Sequence, residues 1–257
     1  MKNCSSRGKL YLIGAGPGDP ELLTLKAARV LRECDVILYD RLVGPEVLSF
    51  ARADAELIYA GKHPGEQHET QEEIFRLIRS RALEGKIVGR LKGGDPMVFG
   101  RGAEEWAVAR ECGIAVEVIP GISSAISVPT LAGIPLTFRG VAESFAIVTG
   151  HCREGLNADW RKYAAIDTLA ILMGVTNRAA IAQALIESGR PADEPVAFVE
   201  HGSLPDERTV ESTLGAVARG ETAVESPAVF IVGQVVKLRG KLIERAVPLP
   251  PELVAAT

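Results

Sequence analysis

The sequence predicts an α/β protein of two domains. Three observations predict it: short apolar runs that empty into glycine-bearing loops, helical stretches between those runs, and a change of rhythm near residue 136. The first predicted domain covers residues 9–136, the second 141–241, and 242–257 form a tail. A chain of 257 residues is long enough to bury two modest cores.

Leu10-Tyr11-Leu12-Ile13 reads as the first strand and opens into Gly14-Ala15-Gly16-Pro17-Gly18-Asp19-Pro20. Between Glu21 and Arg32, apolar Leu22, Leu25, Ala28, Val30 and Leu31 predict an amphipathic helix. Val36–Tyr39 is the next strand, ending at Asp40 and Arg41, and Pro45 suits the first turn of a helix. Leu57–Ala60 follows as a strand, with a basic, proline-punctuated loop at Gly61-Lys62-His63-Pro64-Gly65. Thr70-Gln71-Glu72-Glu73 resembles a capping box before Ile74, Leu77 and Ile78.

Ile87–Leu91 reads as a buried strand leading into Lys92-Gly93-Gly94-Asp95-Pro96-Met97-Val98-Phe99-Gly100-Arg101-Gly102. Four glycines in eleven residues let backbone approach a bound molecule without Cβ atoms in the way. Ala103–Ala109 are good helix formers, so this loop sits where an open α/β sheet holds its ligand. Ala115–Ile119 is a fifth strand, followed by Pro120-Gly121-Ile122-Ser123-Ser124-Ala125. Strands alternating with helices predict a mostly parallel sheet, and five ligand-type loops on one edge predict a cleft.

Gly133–Gly140 marks the predicted domain junction. Beyond it, Ser144–Thr149, Thr168–Met173, Val196–Glu200, Thr209–Leu214 and Ala228–Val232 read as strands, with helices over Asn177–Ser188 and Gly215–Gly220. Their closer spacing predicts a mixed second sheet. The proline-rich tail from Val247 predicts a loosely held end.

Composition narrows the function. A net charge of −4 argues against nucleic acid held by general electrostatics, so an anionic substrate must meet clustered arginine and lysine. Cys4, Cys34, Cys112 and Cys152 form no C-x-x-C pair, which predicts reduced thiols, no metal site and a cytoplasmic setting. The polar start, Met1–Lys9, is no signal peptide, and no apolar run is long enough to span a bilayer. His151 and Cys152 read as structural, and Trp106 and Trp160 as helix packing. A dinucleotide reading of the first loop fails on two counts: the third glycine falls two residues after the second, and Pro17 removes a donor.

Two long motifs carry a more specific reading. Gly14–Pro20, and Leu91–Pro96 with Phe99-Gly100-Arg101-Gly102-Ala103-Glu104-Glu105, resemble the two signatures of the tetrapyrrole methyltransferases. Tyr39-Asp40-Arg41-Leu42-Val43 and Gly61-Lys62-His63 are similar to the branch that C-methylates uroporphyrinogen III, in its stand-alone form. The resemblance runs from about Lys9 to Gly240. It implies two α/β domains with the active site in the cleft between them, S-adenosylmethionine (SAM) as methyl donor leaving as S-adenosylhomocysteine, and a homodimer. It also implies two successive methylations, via precorrin-1 to precorrin-2, for cobalamin or sirohaem biosynthesis. A later corrin methyltransferase, the diphthamide methyltransferase and a non-catalytic SAM or tetrapyrrole binder remain the alternatives.

Carried over residue by residue, the resemblance implies SAM contacts at Pro17, Gly93, Gly94, Asp95, Val98, Ser123 and Ser124, and at Met173, Gly202 and Ala228 in the second domain. Asp40, Lys62 and Arg101 take the catalytic positions; Arg41, Glu104 and Arg139 take substrate-binding ones. The chemistry is consistent with these types. Once a pyrrole carbon has attacked the methyl group, charge passes to the macrocycle and a proton must leave it; a carboxylate such as Asp40 can accept that proton, with Arg41 beside it as the expected counter-charge. A substrate of eight carboxylates calls for a cationic rim from Arg41, Lys62, His63, Arg101 and Arg139. Met173 by residue type alone would be core packing.

Overall fold

Both faces of the first strand, Lys9–Gly14 (β1), are buried, which explains its unbroken apolar run. Residues 8–61, 71–151 and 159–243 are described by the structure, a computed structural model. After β1 come α1 (Leu25–Leu31), β2 (Val36–Tyr39), α2 (Pro45–Leu48), β3 (Glu56–Tyr59), α3 (Gln71–Leu83), β4 (Ile87–Lys92), α4 (Gly102–Glu111), β5 (Ala115–Ile119) and α5 (Ser124–Leu131). The first sheet has the order β3-β2-β4-β1-β5, and every pair in it is parallel, as predicted.

Side-chain alternation along β1 assigns the helices to their faces. Tyr11 and Ile13 join Ala27, Val30, Leu31 and Val47 from α1 and α2. Leu10 and Leu12 join Ile74, Ile78, Ala82 and Ala109 from α3 and α4. Connections leave neighbouring β1 and β4 in opposite directions, so their carboxyl ends form the switch point where such sheets hold ligands. Trp106 packs against this second cluster. Cys34 is a buried thiol, pushed up to about 12 by its burial, and is therefore inert.

One predicted element is corrected. The helix expected over Glu21–Arg32 is a short turn at Pro20–Leu22 followed by α1. Leu23 and Thr24 are extended, and the Thr24 hydroxyl accepts the Ala27 N–H at 3.1 Å, starting a new helix. Leu25, counted on the apolar face, is 92% exposed.

The chain divides into two compact units. The first runs through Ser127 and includes Ser203–Pro205; the second holds Val128–Gly202 and the chain from Asp206. This division falls inside α5, ahead of the predicted junction at Gly133–Gly140. Val128 and Ala132 already belong to the second unit's core, with Ile134, Ala142 and Val235.

The second unit contains β6 (Phe145–Thr149), β7 (Thr168–Leu172), α6 (Arg178–Glu187), β8 (Pro195–Glu200), β9 (Arg208–Thr213), α7 (Leu214–Ala218), β10 (Ala228–Val232) and α8 (Arg239–Ile243). Its sheet, ordered β6-β7-β10-β8-β9, is mixed as expected: only β6–β7 is parallel. Phe198 and Phe230 are cross-strand partners whose rings stack at 4.2 Å, on the face covered by α6 and α7. Trp160 packs in that same cluster. No helix among the described residues is long and apolar enough to cross a membrane.

Candidate active site

The loops after β1, β4 and β5 meet backbone on backbone. Gly16 N–H donates to the Gly94 carbonyl at 3.2 Å, and Gly94 N–H returns to the Gly16 carbonyl at 2.6 Å. A Cβ added to Gly14 would lie 2.5 Å from the Gly121 Cα; one on Gly121 would lie 2.3 Å from the Gly94 carbonyl oxygen. Side chains are excluded at both places. Gly94 is different: φ is +69°, and an added Cβ would come no nearer than 3.7 Å to Ser124 N. Glycine is needed there for the backbone, and the space above stays clear of the protein's own atoms.

Asp95 locks these loops together. Its Oδ1 accepts the Met97 N–H at 2.8 Å and its Oδ2 the Gly121 N–H at 3.0 Å, joining the β4 loop to the β5 loop. The Asx turn and the candidate ligand role are therefore held by one carboxylate, which retains lone pairs for a further donor. Pro17 lies between Gly16 and Gly18, both at positive φ. Gly93 is pressed against the Leu42 side chain, and half-buried Val98 donates its N–H to the Asp95 carbonyl at 3.2 Å. Ser124 opens α5, while the Ser123 hydroxyl accepts the Ala125 N–H at 3.3 Å.

Asp40 caps the turn after β2 and also pairs with a cation. Its Oδ1 accepts the Leu42 N–H at 3.1 Å, and its Oδ2 faces Arg90 Nη2 at 3.4 Å. The expected counter-charge was Arg41, which is exposed. Adjacent residues diverge as the chain leaves a strand, whereas Arg90 reaches across from neighbouring β4.

Behind Asp40 lies a buried charge cluster that the sequence reading missed. Arg90, Lys92 and Glu105 have side-chain exposures of 4%, 7% and 0%. Glu105 Oε1 accepts from Arg90 Nε at 3.2 Å, Lys92 Nζ at 2.8 Å and Gln71 Nε2 at 3.2 Å. Burial, reinforced by the Arg90 charge, holds the Lys92 ammonium below its usual range despite Glu105. Arg90 and Lys92 stand two apart on a strand, and so on one face, thirteen or more residues from Glu105. That i, i+2 pair of cations in an otherwise apolar strand was the available signal.

The remaining charged candidates divide. Arg101 has φ +58° at the start of α4, and its fork grips Glu104 at 3.0 and 2.5 Å. The two are about half exposed, so the pair is weakly held and can open toward an anion. Arg139 is exposed in a tight turn closed by the Phe138–Ala142 pairing. Lys62, His63 and the Thr70 capping position lie outside the described residues, as do Cys4, Cys152 and the tail prolines from Val247.

In the second unit, the carboxyl ends of parallel β6 and β7 carry the same kind of close approach. An added Cβ on Gly150 would be 2.4 Å from the Gly174 Cα. Met173, beside it, has φ +56° and is 52% exposed, so the core-packing expectation is corrected. A long apolar side chain held in a left-handed backbone and open to solvent fits a ligand contact better than a packing role. Gly202 leaves room for Val128, which an added Cβ would approach to 2.4 Å. Preceding it, His201 is held above the usual histidine range by its hydrogen bond to Asp206. Ala228 begins β10, opposite Glu200.

The first unit thus offers a cradle walled by backbone, open above Gly94 and bordered by carboxylate and serine groups. Such a mix of backbone N–H donors, carboxylate acceptors and hydroxyls fits the ribose, amino and carboxylate groups of a nucleoside-linked amino acid.

Comparison with known proteins agrees. The family model for Tetrapyrrole (Corrin/Porphyrin) Methylases matches residues 9–218. The Uroporphyrinogen-III C-methyltransferase of Methanocaldococcus jannaschii is 47% identical over 238 residues, which cover 90% of this chain and 98% of that protein. A Siroheme synthase of Thiobacillus denitrificans is 45% identical over 98% of this chain, which spans only 53% of that longer protein. The solved structure of Uroporphyrin-III C-methyl transferase from Thermus thermophilus complexed with S-adenyl homocysteine matches with a TM-score of 0.80 and 47% identity, covering 90% of this chain and 94% of that one.

Proposed function

The chain belongs to the tetrapyrrole (corrin/porphyrin) methylase family, and from that membership we propose that it C-methylates uroporphyrinogen III with SAM. Two successive transfers, via precorrin-1, give precorrin-2. The observation that carries this reading is the meeting of the β1, β4 and β5 loops in a backbone-walled cradle, with Asp40 on the adjoining strand end.

Pro17, Gly93, Gly94, Asp95, Val98, Ser123 and Ser124 would hold SAM in the first unit, with Met173, Gly202 and Ala228 from the second. SAM, when bound, supplies an electrophilic methyl group. This chain's residues do the rest. Most of their contribution is positioning, since an electron-rich pyrrole carbon needs alignment more than activation. The positive charge passes from sulfur to the macrocycle, which must then lose a proton from another of its atoms, and Asp40 Oδ2 is the accepting atom. Its 3.4 Å contact with Arg90 leaves lone-pair capacity, and Leu42 N–H holds the other oxygen in place. Lys62 is proposed for the second proton-transfer role and Arg101 for a substrate proton or carboxylate. A homodimer in the cytoplasm completes the proposal.

The substrate's carboxylates fall to Arg41, Arg101 and Arg139, with Glu104 releasing Arg101. Arg139→Ala or Arg41→Ala is expected to raise the apparent KM for the porphyrinogen about tenfold or more, because a charge-assisted contact contributes roughly 1.5–3 kcal/mol. SAM affinity stays nearly unchanged, and added salt weakens substrate binding in the same direction. A KM indifferent to both variants and to salt would place carboxylate recognition elsewhere.

Anaerobic incubation with methyl-labelled SAM and uroporphyrinogen III tests the activity itself. The expected product carries two labelled methyl groups and absorbs as a chlorin-type macrocycle. SAM binding without transfer would make this a binding protein. Transfer only to an already methylated macrocycle would make it a later enzyme of the same family.

A further inference from the structure

Glu105 is the most completely buried charged side chain of the cluster described above, and its two oxygens are used unequally. Oε1 takes three donors, Arg90, Lys92 and Gln71, while Oε2 is buried with no partner among the described residues. Leaving a carboxylate oxygen dry and unpaired is unfavourable, and a buried ionic cluster is often no more stable than apolar packing of equal volume. Stability therefore gives no reason for this arrangement. What the arrangement does achieve is a single anchoring point for three elements.

Each donor leads somewhere different. Arg90 carries the connection to Asp40: its Nε is on Glu105, its Nη1 on the Leu38 and Leu91 carbonyls at 3.4 and 3.1 Å, and its Nη2 on Asp40 Oδ2. Lys92 is the last residue of β4, directly before Gly93 and Gly94, and its carbonyl also accepts the Ala15 N–H at 2.8 Å. Glu105 itself lies in the first turn of α4, so the Lys92–Glu105 contact closes the base of the glycine-rich loop. Gln71 opens α3. These four residues and Asp40 all lie in the first unit.

We infer that Glu105 is a positioning residue for the methyl transfer, acting through Arg90 on the orientation of Asp40. The inference rests on Asp40 being the proton acceptor. Glu105 touches neither substrate nor SAM in this assignment. Removing its charge weakens the hold on Arg90 Nε and leaves the guanidinium to the Leu38 and Leu91 carbonyls, so that Nη2 meets Asp40 less firmly. Misplacement of a reacting group by about 1 Å can cost up to about a hundredfold in rate.

A double-mutant cycle on the full chain tests it, reading single-turnover methylation at saturating SAM and uroporphyrinogen III, well below the melting temperature. Glu105→Gln is expected to slow turnover about tenfold or more while S-adenosylhomocysteine affinity, measured by calorimetry, changes less than about threefold. In an Asp40→Asn background the same substitution is expected to have almost no further effect, because residues acting as a unit are not additive. If Glu105→Gln does not fold, Arg90→Lys enters the cycle instead: it keeps the buried charge but lacks the fork that reaches Asp40. An unchanged rate in the single variant, or an equal loss in both backgrounds, overturns the inference and leaves Asp40 as base. Asp40→Asn alone at wild-type rate overturns the parent reading, and is seen without any change at Glu105.

Discussion

Asp40→Asn lowers single-turnover methylation at least about a hundredfold while S-adenosylhomocysteine still binds, since general-base assistance is typically worth about 10²–10⁴-fold. The asparagine keeps an oxygen for the Leu42 N–H, so the turn after β2 survives. It removes the basic oxygen and the charge that meets Arg90. The Asp40 side chain is 24% exposed, so the carboxylate is open enough for water to compete for the role. The melting curve separates the possibilities. A large rate loss with little change in melting assigns the proton to Asp40. Near-wild-type turnover in a stable variant gives the proton to solvent and reduces Asp40 to a turn cap.

Gly94→Val weakens S-adenosylhomocysteine binding by about 10–100-fold, the second-largest effect expected. The reason is not a clash with the protein, because an added Cβ would find nothing nearer than 3.7 Å. Strain supplies part of it: φ is +69°, and forcing a β-branched residue into that region costs of order 1–3 kcal/mol. The valine also fills the space over the cradle. Gly220→Val serves as the control, having φ +76° and nothing within 4 Å of an added Cβ, in a turn remote from these loops in sequence. Both variants should lose similar thermal stability, and only Gly94→Val should lose ligand affinity. Equal affinities in the two would show that Gly94 serves its turn alone.

Much of this molecule was readable from local pattern. The runs Leu10–Ile13, Val36–Tyr39, Ile87–Leu91 and Ala115–Ile119 became strands because each is mainly apolar and flanked by glycine, proline or charge. Where two local rules compete, the reading failed: apolar periodicity favoured one helix over Glu21–Arg32, but the Thr24 cap started a new one. The two long glycine motifs were equally legible, since only glycine is tolerated where any Cβ would fall within 3 Å of another backbone.

Sequence by itself therefore determined the two sheets, their parallel or mixed character, the glycine-rich loops and the candidate acid–base residue. Only the tertiary structure decided who stands beside whom. Arg41 neighbours Asp40 along the chain, yet Arg90 is its partner in space, fifty residues away. Glu105 stood in the sequence only as the end of the second motif, and packing made it the anchor for Arg90, Lys92 and Gln71. Met173 looked like core, and its left-handed backbone turned it outward. The physical reason is common to all three. Periodicity and propensity report on a residue's own few neighbours, whereas ion pairing and burial depend on contacts that exist only once separate strands and helices have packed.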